Sequence, residues 1–198
     1  MITKMICTAS ILCSLALALS PAGAAEEQER PKLKPALLVI DVQNIWLPMM
    51  AQADRDVAPA NINKAIALFR KLEYPVIAVY HSDPKHGPPP GTEPFKFPEW
   101  VAVRADDPVI VKAHSSSFPE TGLDSLLKKS GRDAVFLCGL SATGCVLATY
   151  FGATERGYLA CMVKDALLSD DSTHTAAVED ICASASIDEM ESLLKRRD

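Results

Sequence analysis

The stretch that decides the fold is Ala134-Val135-Phe136-Leu137-Cys138-Gly139-Leu140-Ser141-Ala142-Thr143-Gly144-Cys145-Val146. The apolar run from Ala134 to Cys138 reads as a buried strand, and the Gly-Leu-Ser-Ala-Thr-Gly segment after it as a turn. Cys145 then opens a helix carrying Val146, Leu147, Tyr150 and Ala153. A thiol is thereby set in the first helical turn, directly beyond the carboxyl end of a strand. Unpaired N–H groups and the positive end of the helix dipole favour a thiolate there. The alternative is a buried structural cysteine, the commoner fate of a lone thiol.

Two other strands end in the same way. Ala36-Leu37-Leu38-Val39-Ile40 ends on Asp41, and Val109-Ile110-Val111 ends on Lys112. Charges at the ends of apolar strands are costly unless they are paired or used. Strands alternate with helical spacing along the chain: Ile62, Ile66, Phe69 and Leu72 mark a helix over residues 60–72, and residues 76–80 the strand after it. Further helices are expected around Leu123, Leu126 and Leu127, over residues 175–183 and in the tail with Leu193 and Leu194, and a further strand over 158–163. The alternation predicts an α/β fold of three α/β/α layers, with a mainly parallel, roughly six-stranded Rossmann-like sheet. Asp41, Lys112 and Cys145 then share one sheet edge, the edge where such sheets bind ligands.

At these residues the chain resembles the isochorismatase-like cysteine hydrolases, which include nicotinamidases and N-carbamoylsarcosine amidohydrolase. The resemblance rests on Leu38-Val39-Ile40-Asp41-Val42-Gln43-Asn44, on Val111-Lys112-Ala113-His114-Ser115-Ser116-Ser117-Phe118 with Thr121 and Leu123, and on Gly139 to Val146, in that order. It implies a catalytic triad of Asp41, Lys112 and Cys145. It also implies a cis Leu140–Ser141 peptide and an oxyanion hole from the backbone N–H groups of Ser141 and Cys145. Asp41 would take the thiol proton, Lys112 would stabilise the charges, and sulfur would attack a carbonyl to give a thioester that water cleaves. Gln43 reads as a structural hydrogen-bonding partner rather than a catalyst, with substrate binding as its other candidate role. Trp46 and Phe118 are candidates for the pocket lining or for the core.

Substrate is where the chain departs from its relatives. Nicotinamidases place an Asp-x-His pair after the second strand to hold a metal. Here that place reads His81-Ser82-Asp83, with His86 following. A solvated loop is the expectation there, with a metal held by His81, Asp83 and His86 as the alternative. No cofactor is expected. Cys145 favours amide or carbamoyl chemistry. A vinyl-ether hydrolase of the same fold, a secreted binding protein without catalysis, and a thiol-redox role using Cys138 are the other readings. Residues 81–108 are rich in proline and without periodicity, which suits a lid or a subunit contact; a homo-oligomer is expected by resemblance.

The N-terminus has a different character. Lys4, an apolar run over residues 6–19 and the small residues Ala22-Gly23-Ala24 read as a secretory signal over residues 1–24. A retained anchor is the alternative. Residues 25–34 read as a flexible leader and 35–198 as one hydrolase domain, secreted or periplasmic. Loss of the signal leaves 174 residues, enough for one core, and takes the formal charge from −5 to −6. With no basic patch, nucleic acid is not expected as a partner, and a small molecule is expected instead. Cys138, Cys145, Cys161 and Cys182 remain, in no zinc-binding spacing. Buried free thiols are expected at Cys138, Cys161 and Cys182, with a Cys161–Cys182 bridge left open by an oxidising compartment.

Overall fold

The computed structural model describes residues 33–85 and 87–195. The signal and most of the leader inferred for residues 1–34, and His86, lie outside the described residues. Six strands, β1 (Pro35–Ile40), β2 (Val76–His81), β3 (Val109–Lys112), β4 (Ala134–Leu140), β5 (Leu159–Leu168) and β6 (Ser184–Ala185), form one sheet in the order β3-β2-β1-β4-β5-β6. Every neighbouring pair is parallel. The central strand β1 is buried along its whole length, as a parallel strand covered on both faces must be. Leu37 and Val39 face a core shared with helices α1 (Gln52–Lys71) and α5 (Ile187–Lys195). Ala36, Leu38 and Ile40 face a second core shared with α2 (Leu123–Lys129), α3 (Leu147–Thr154) and α4 (Ser172–Ile181). The molecule is thus an α/β/α sandwich. Strand order reverses direction between β1 and β4, and ligand crevices open beside that switch point in such sheets.

Three elements differ from the sequence expectation. Helix α1 starts at Gln52, eight residues before 60, and carries Pro59 inside it. Proline removes one helical bond. The turns ahead of it are held by tertiary contacts: buried Asp54 accepts from the backbone N–H of Ser169 at 2.9 Å and from the Thr175 hydroxyl at 2.6 Å. Strand β5 continues past Val163 to Leu168 through a register shift opposite Leu137 and Gly139, with Asp165 at φ +60°. The charged pair Lys164-Asp165 that hides the second half of this strand lies in that irregularity. The two-residue β6 carries too little pattern to be read. The Asp170-Asp171 pair opens α4, where the Asp171 carboxylate accepts from the Thr173 N–H at 2.8 Å.

Candidate active site

The end of β1 is shaped by Asp41, whose φ of +52° lies in the left-handed region that Asp tolerates better than most side chains. Its N–H still donates to Val79 O at 2.9 Å, so it remains tied to β2 while its carboxylate leaves the strand direction. Strand β4 comes very close at this level. Gly139 has φ +110°, and a Cβ there would lie 2.1 Å from Ile40 O. Only glycine permits that approach. The Leu140–Ser141 peptide that follows is cis. Ser141 then caps one π turn over Ala142–Val146 that runs into α3. Cys145 is therefore the fourth residue of the helical segment rather than its opening residue. The Thr149 hydroxyl donates to Cys145 O at 2.7 Å and lies 2.9 Å from the Ser117 hydroxyl, which ties α3 to the loop after β3.

Asp41 and Lys112 meet out of solvent. Lys112 Nζ is 2.7 Å from Asp41 Oδ2, with the side chains 0% and 2% exposed. The other two ammonium hydrogens go to His114 O at 3.1 Å and to His81 Nδ1 at 3.3 Å. Lysine has only hydrogens to give, so Nδ1 is the acceptor and the neutral His81 ring carries its proton on Nε2. Asp41 Oδ1 is buried and has no hydrogen-bond partner among the described residues, although the Cys145 thiol is near enough to hydrogen-bond to this carboxylate. A carboxylate oxygen of Asp41, a ring nitrogen of His81 and Sγ of Cys145 lie within 4.8 Å of one another.

Electrostatics follow from this enclosure. Burial raises the Asp41 carboxyl above its ordinary 3.8, and the Lys112 ammonium opposes that shift. Burial, followed by the Lys112 charge, holds His81 below its ordinary 6.5, while Asp41 and Asp83 pull the other way. Burial, with the Asp41 charge next, pushes the Cys145 thiol up to about 12, against the pull of Lys112. The helix start favours a thiolate, whereas burial and the neighbouring Asp41 carboxylate act the other way. Asp41, His81 and Cys145 are also the kinds of atoms that bind a transition metal. The Lys112 ammonium lies against two of these side chains, donating to Asp41 Oδ2 at 2.7 Å and lying 3.3 Å from His81 Nδ1.

The expected site residues are dispersed among several roles. Gln43 is fully buried; its Nε2 donates to His81 O at 3.1 Å and Phe95 O at 3.0 Å, and its Oε1 accepts from the His81 N–H at 2.8 Å. Gln43 therefore clamps the end of β2. Trp46 meets the His81 ring edge-on, with centroids 6.1 Å apart. Phe118 belongs to the core instead of the pocket lining. It is 4% exposed, stacks on Tyr158 and lies beneath the Arg156 guanidinium. His81 is the last residue of β2 and a member of the site, which corrects its reading as part of a solvated loop. Its signal was present in the sequence, since it ends an apolar strand as Asp41 and Lys112 do. Cys138, Cys145, Cys161 and Cys182 are all free thiols. Among its described residues, the segment from Ser82 to Pro108 contains one short 3-10 turn, Glu93–Phe95, and its Lys96, Phe97 and Trp100 line an open cleft of about 760 Å³ together with Asn44. Asp41, His81, Lys112 and Cys145 are not among its lining residues.

Residues 35–192 match the isochorismatase domain model. The chain belongs to the isochorismatase family. It is similar to the isochorismatase family protein YddQ of Bacillus subtilis, 35% identical over 150 residues that cover 73% of this chain and 81% of YddQ. The secreted isochorismatase effector Isc1 of Verticillium dahliae is 26% identical, covering 66% and 70% of the two chains. Maleamate amidohydrolase of Pseudomonas putida is 27% identical, covering 67% and 71%. Among solved structures, N-carbamoylsarcosine amidase from Thermoplasma acidophilum superposes with a TM-score of 0.69 at 28% identity, covering 79% of this chain and 98% of that one. The six-stranded parallel sheet flanked by helices is the fold of this family, and the protein is a hydrolase of it.

Proposed function

We propose that this isochorismatase-family member cleaves a C–N bond, amide or carbamoyl, of a small molecule through a thioester on Cys145. The observation that carries the reading is the division of labour on one buried carboxylate. Asp41 Oδ2 is held by Lys112, Oδ1 has no hydrogen-bond partner among the described residues, and a carboxylate oxygen of Asp41 lies within 4.8 Å of the thiol sulfur. A thiol pushed up to about 12 is protonated at rest and needs a base to become a nucleophile. Oδ1 takes the proton as sulfur attacks the carbonyl carbon. The ammonium hydrogens of Lys112 are all engaged, so its part is to hold charge rather than to move protons. The oxyanion forms beside the backbone N–H groups of Ser141 and Cys145 at the start of the helical segment. Such donors contribute roughly 3 kcal/mol each in preorganised sites. Asp41 then gives its proton to the leaving nitrogen, and water cleaves the thioester to release the acid and restore the thiol.

Two of the relatives, an amidase and an amidohydrolase, support the C–N assignment. The signal pattern in residues 1–24 and similarity to a secreted effector support a secreted or periplasmic location. The test is ammonia release by the full chain from a panel of small amides, carbamoyl compounds and nicotinamide, beside Cys145→Ala. Turnover that disappears in the variant supports the reading. Turnover that survives removes Cys145 from the chemistry.

A further inference from the structure

We propose that His81 is a positioning residue of this site: its Nδ1 accepts the third hydrogen of the Lys112 ammonium and fixes that charge between Asp41 and the thiol. The inference rests on the reading of Cys145 as nucleophile. Three independent features hold the imidazole for this task. Buried Gln43 binds both the N–H and the C=O of His81, which sets its backbone. The Trp46 ring packs edge-on against the imidazole. The ammonium 3.3 Å away offers only hydrogens, which selects the tautomer with Nδ1 bare.

The charged and titratable groups around the ring are Lys112, Asp41 and Asp83, and the Cys145 thiol lies within the same 4.8 Å cluster as Asp41. A protonated ring would lose its acceptor and set a second cation against Lys112. A neutral ring completes the ammonium's threefold bonding with Asp41 Oδ2 and His114 O. The ammonium is then unable to turn away from the sulfur as negative charge develops there. Asparagine at position 81 offers an amide oxygen as acceptor and does not titrate, whereas alanine offers nothing.

Two measurements on the full chain test this without any substrate. Iodoacetamide alkylation of Cys145, followed on its own peptide by mass, is compared for wild type, His81→Ala and His81→Asn, each with its unfolding midpoint recorded. We expect His81→Ala to slow alkylation about tenfold, one pKa unit's worth of lost thiolate stabilisation, and His81→Asn to recover most of the rate. A wild-type rate in His81→Ala, or an equal loss in both variants, overturns the proposal. Nitrogen-15 NMR of the wild-type imidazoles, assigned with His81→Asn, covers the case in which His81→Ala does not fold. The expected signature at neutral pH is a neutral ring protonated on Nε2, and protonation on Nδ1 overturns the proposal. Failure of the amide reading would appear separately, as turnover that persists in Cys145→Ala.

Discussion

Lys112 Nζ and Asp41 Oδ2 lie 2.7 Å apart in an ion pair shut away from solvent, although 71 residues separate them in the chain. Strands β1 and β3 are not neighbours in the sheet, since β2 lies between them, so the pair ties the carboxyl ends of three strands together across His81. Taking one partner away leaves an unpaired charge in a dry site. Lys112→Met is expected to lower the stability of the fold by about 3–5 kcal/mol, and Asp41→Asn combined with Lys112→Met by clearly less than the sum of the two changes. Urea unfolding of the three variants measures this, and strictly additive losses would deny that the residues interact.

Gly139 carries the close approach of β4 to β1. Gly139→Ala adds a Cβ 2.1 Å from Ile40 O at a φ of +110°, so both strain and collision act on the two strands that bring Asp41 and Cys145 together. The expected cost exceeds about 3 kcal/mol, with loss of activity even in the fraction that folds. A variant with wild-type unfolding and turnover would mean that the strands separate easily here.

The pH dependence of kcat/KM is expected to show an acid limb set by two groups. Asp41 must be ionised to act as base, and its carboxyl is raised, so activity falls as pH drops through a value above 3.8. His81 must be neutral, and its ring is held low, so its contribution is lost as pH drops through a value below 6.5. The same displacement has a stability consequence. The unfolded chain binds a proton at His81 near 6.5 while the folded chain binds it only at lower pH. This contribution to stability is complete above 6.5 and declines as pH falls below it. His81→Asn removes both dependences, and profiles identical to wild type would contradict the assignment.

Gln43→Leu strips three partly buried backbone groups of their partner: the His81 N–H, His81 O and Phe95 O. Each unsatisfied group costs about 1–3 kcal/mol, so the variant is expected to unfold at markedly lower urea and to lose the fixed His81 tautomer. Retained stability would show that water replaces the side chain.

Much of this was legible because the informative residues interrupt a pattern. Asp41 and Lys112 are charges at the ends of apolar strands, and Cys145 follows a Gly-containing turn after a third strand. Period and punctuation therefore pointed to one sheet edge. His81 falls outside that reading because the strand is expected to end at Tyr80, which leaves His81 in a solvated loop with Asp83 and His86, whereas β2 runs on to His81. Helix α1 before Pro59 and strand β5 beyond Val163 were hidden for a common reason. Both depend on tertiary contacts, Asp54 with Ser169 and Thr175 in one case and the Asp165 irregularity in the other, that local propensity does not encode. The raised Cys145 thiol was not legible either, since a helix end is visible in sequence and desolvation is not.

The most direct test of the account is a search for an acyl group on Cys145 during turnover. The full chain is quenched while hydrolysing an amide that it turns over, and the Cys145 peptide is weighed by mass spectrometry. The account predicts the mass of the substrate's acyl group on that peptide, lost on treatment with hydroxylamine and absent in Asp41→Asn and in Cys145→Ala. Turnover at the wild-type rate by Cys145→Ala, with no adduct on the wild-type peptide, would contradict it.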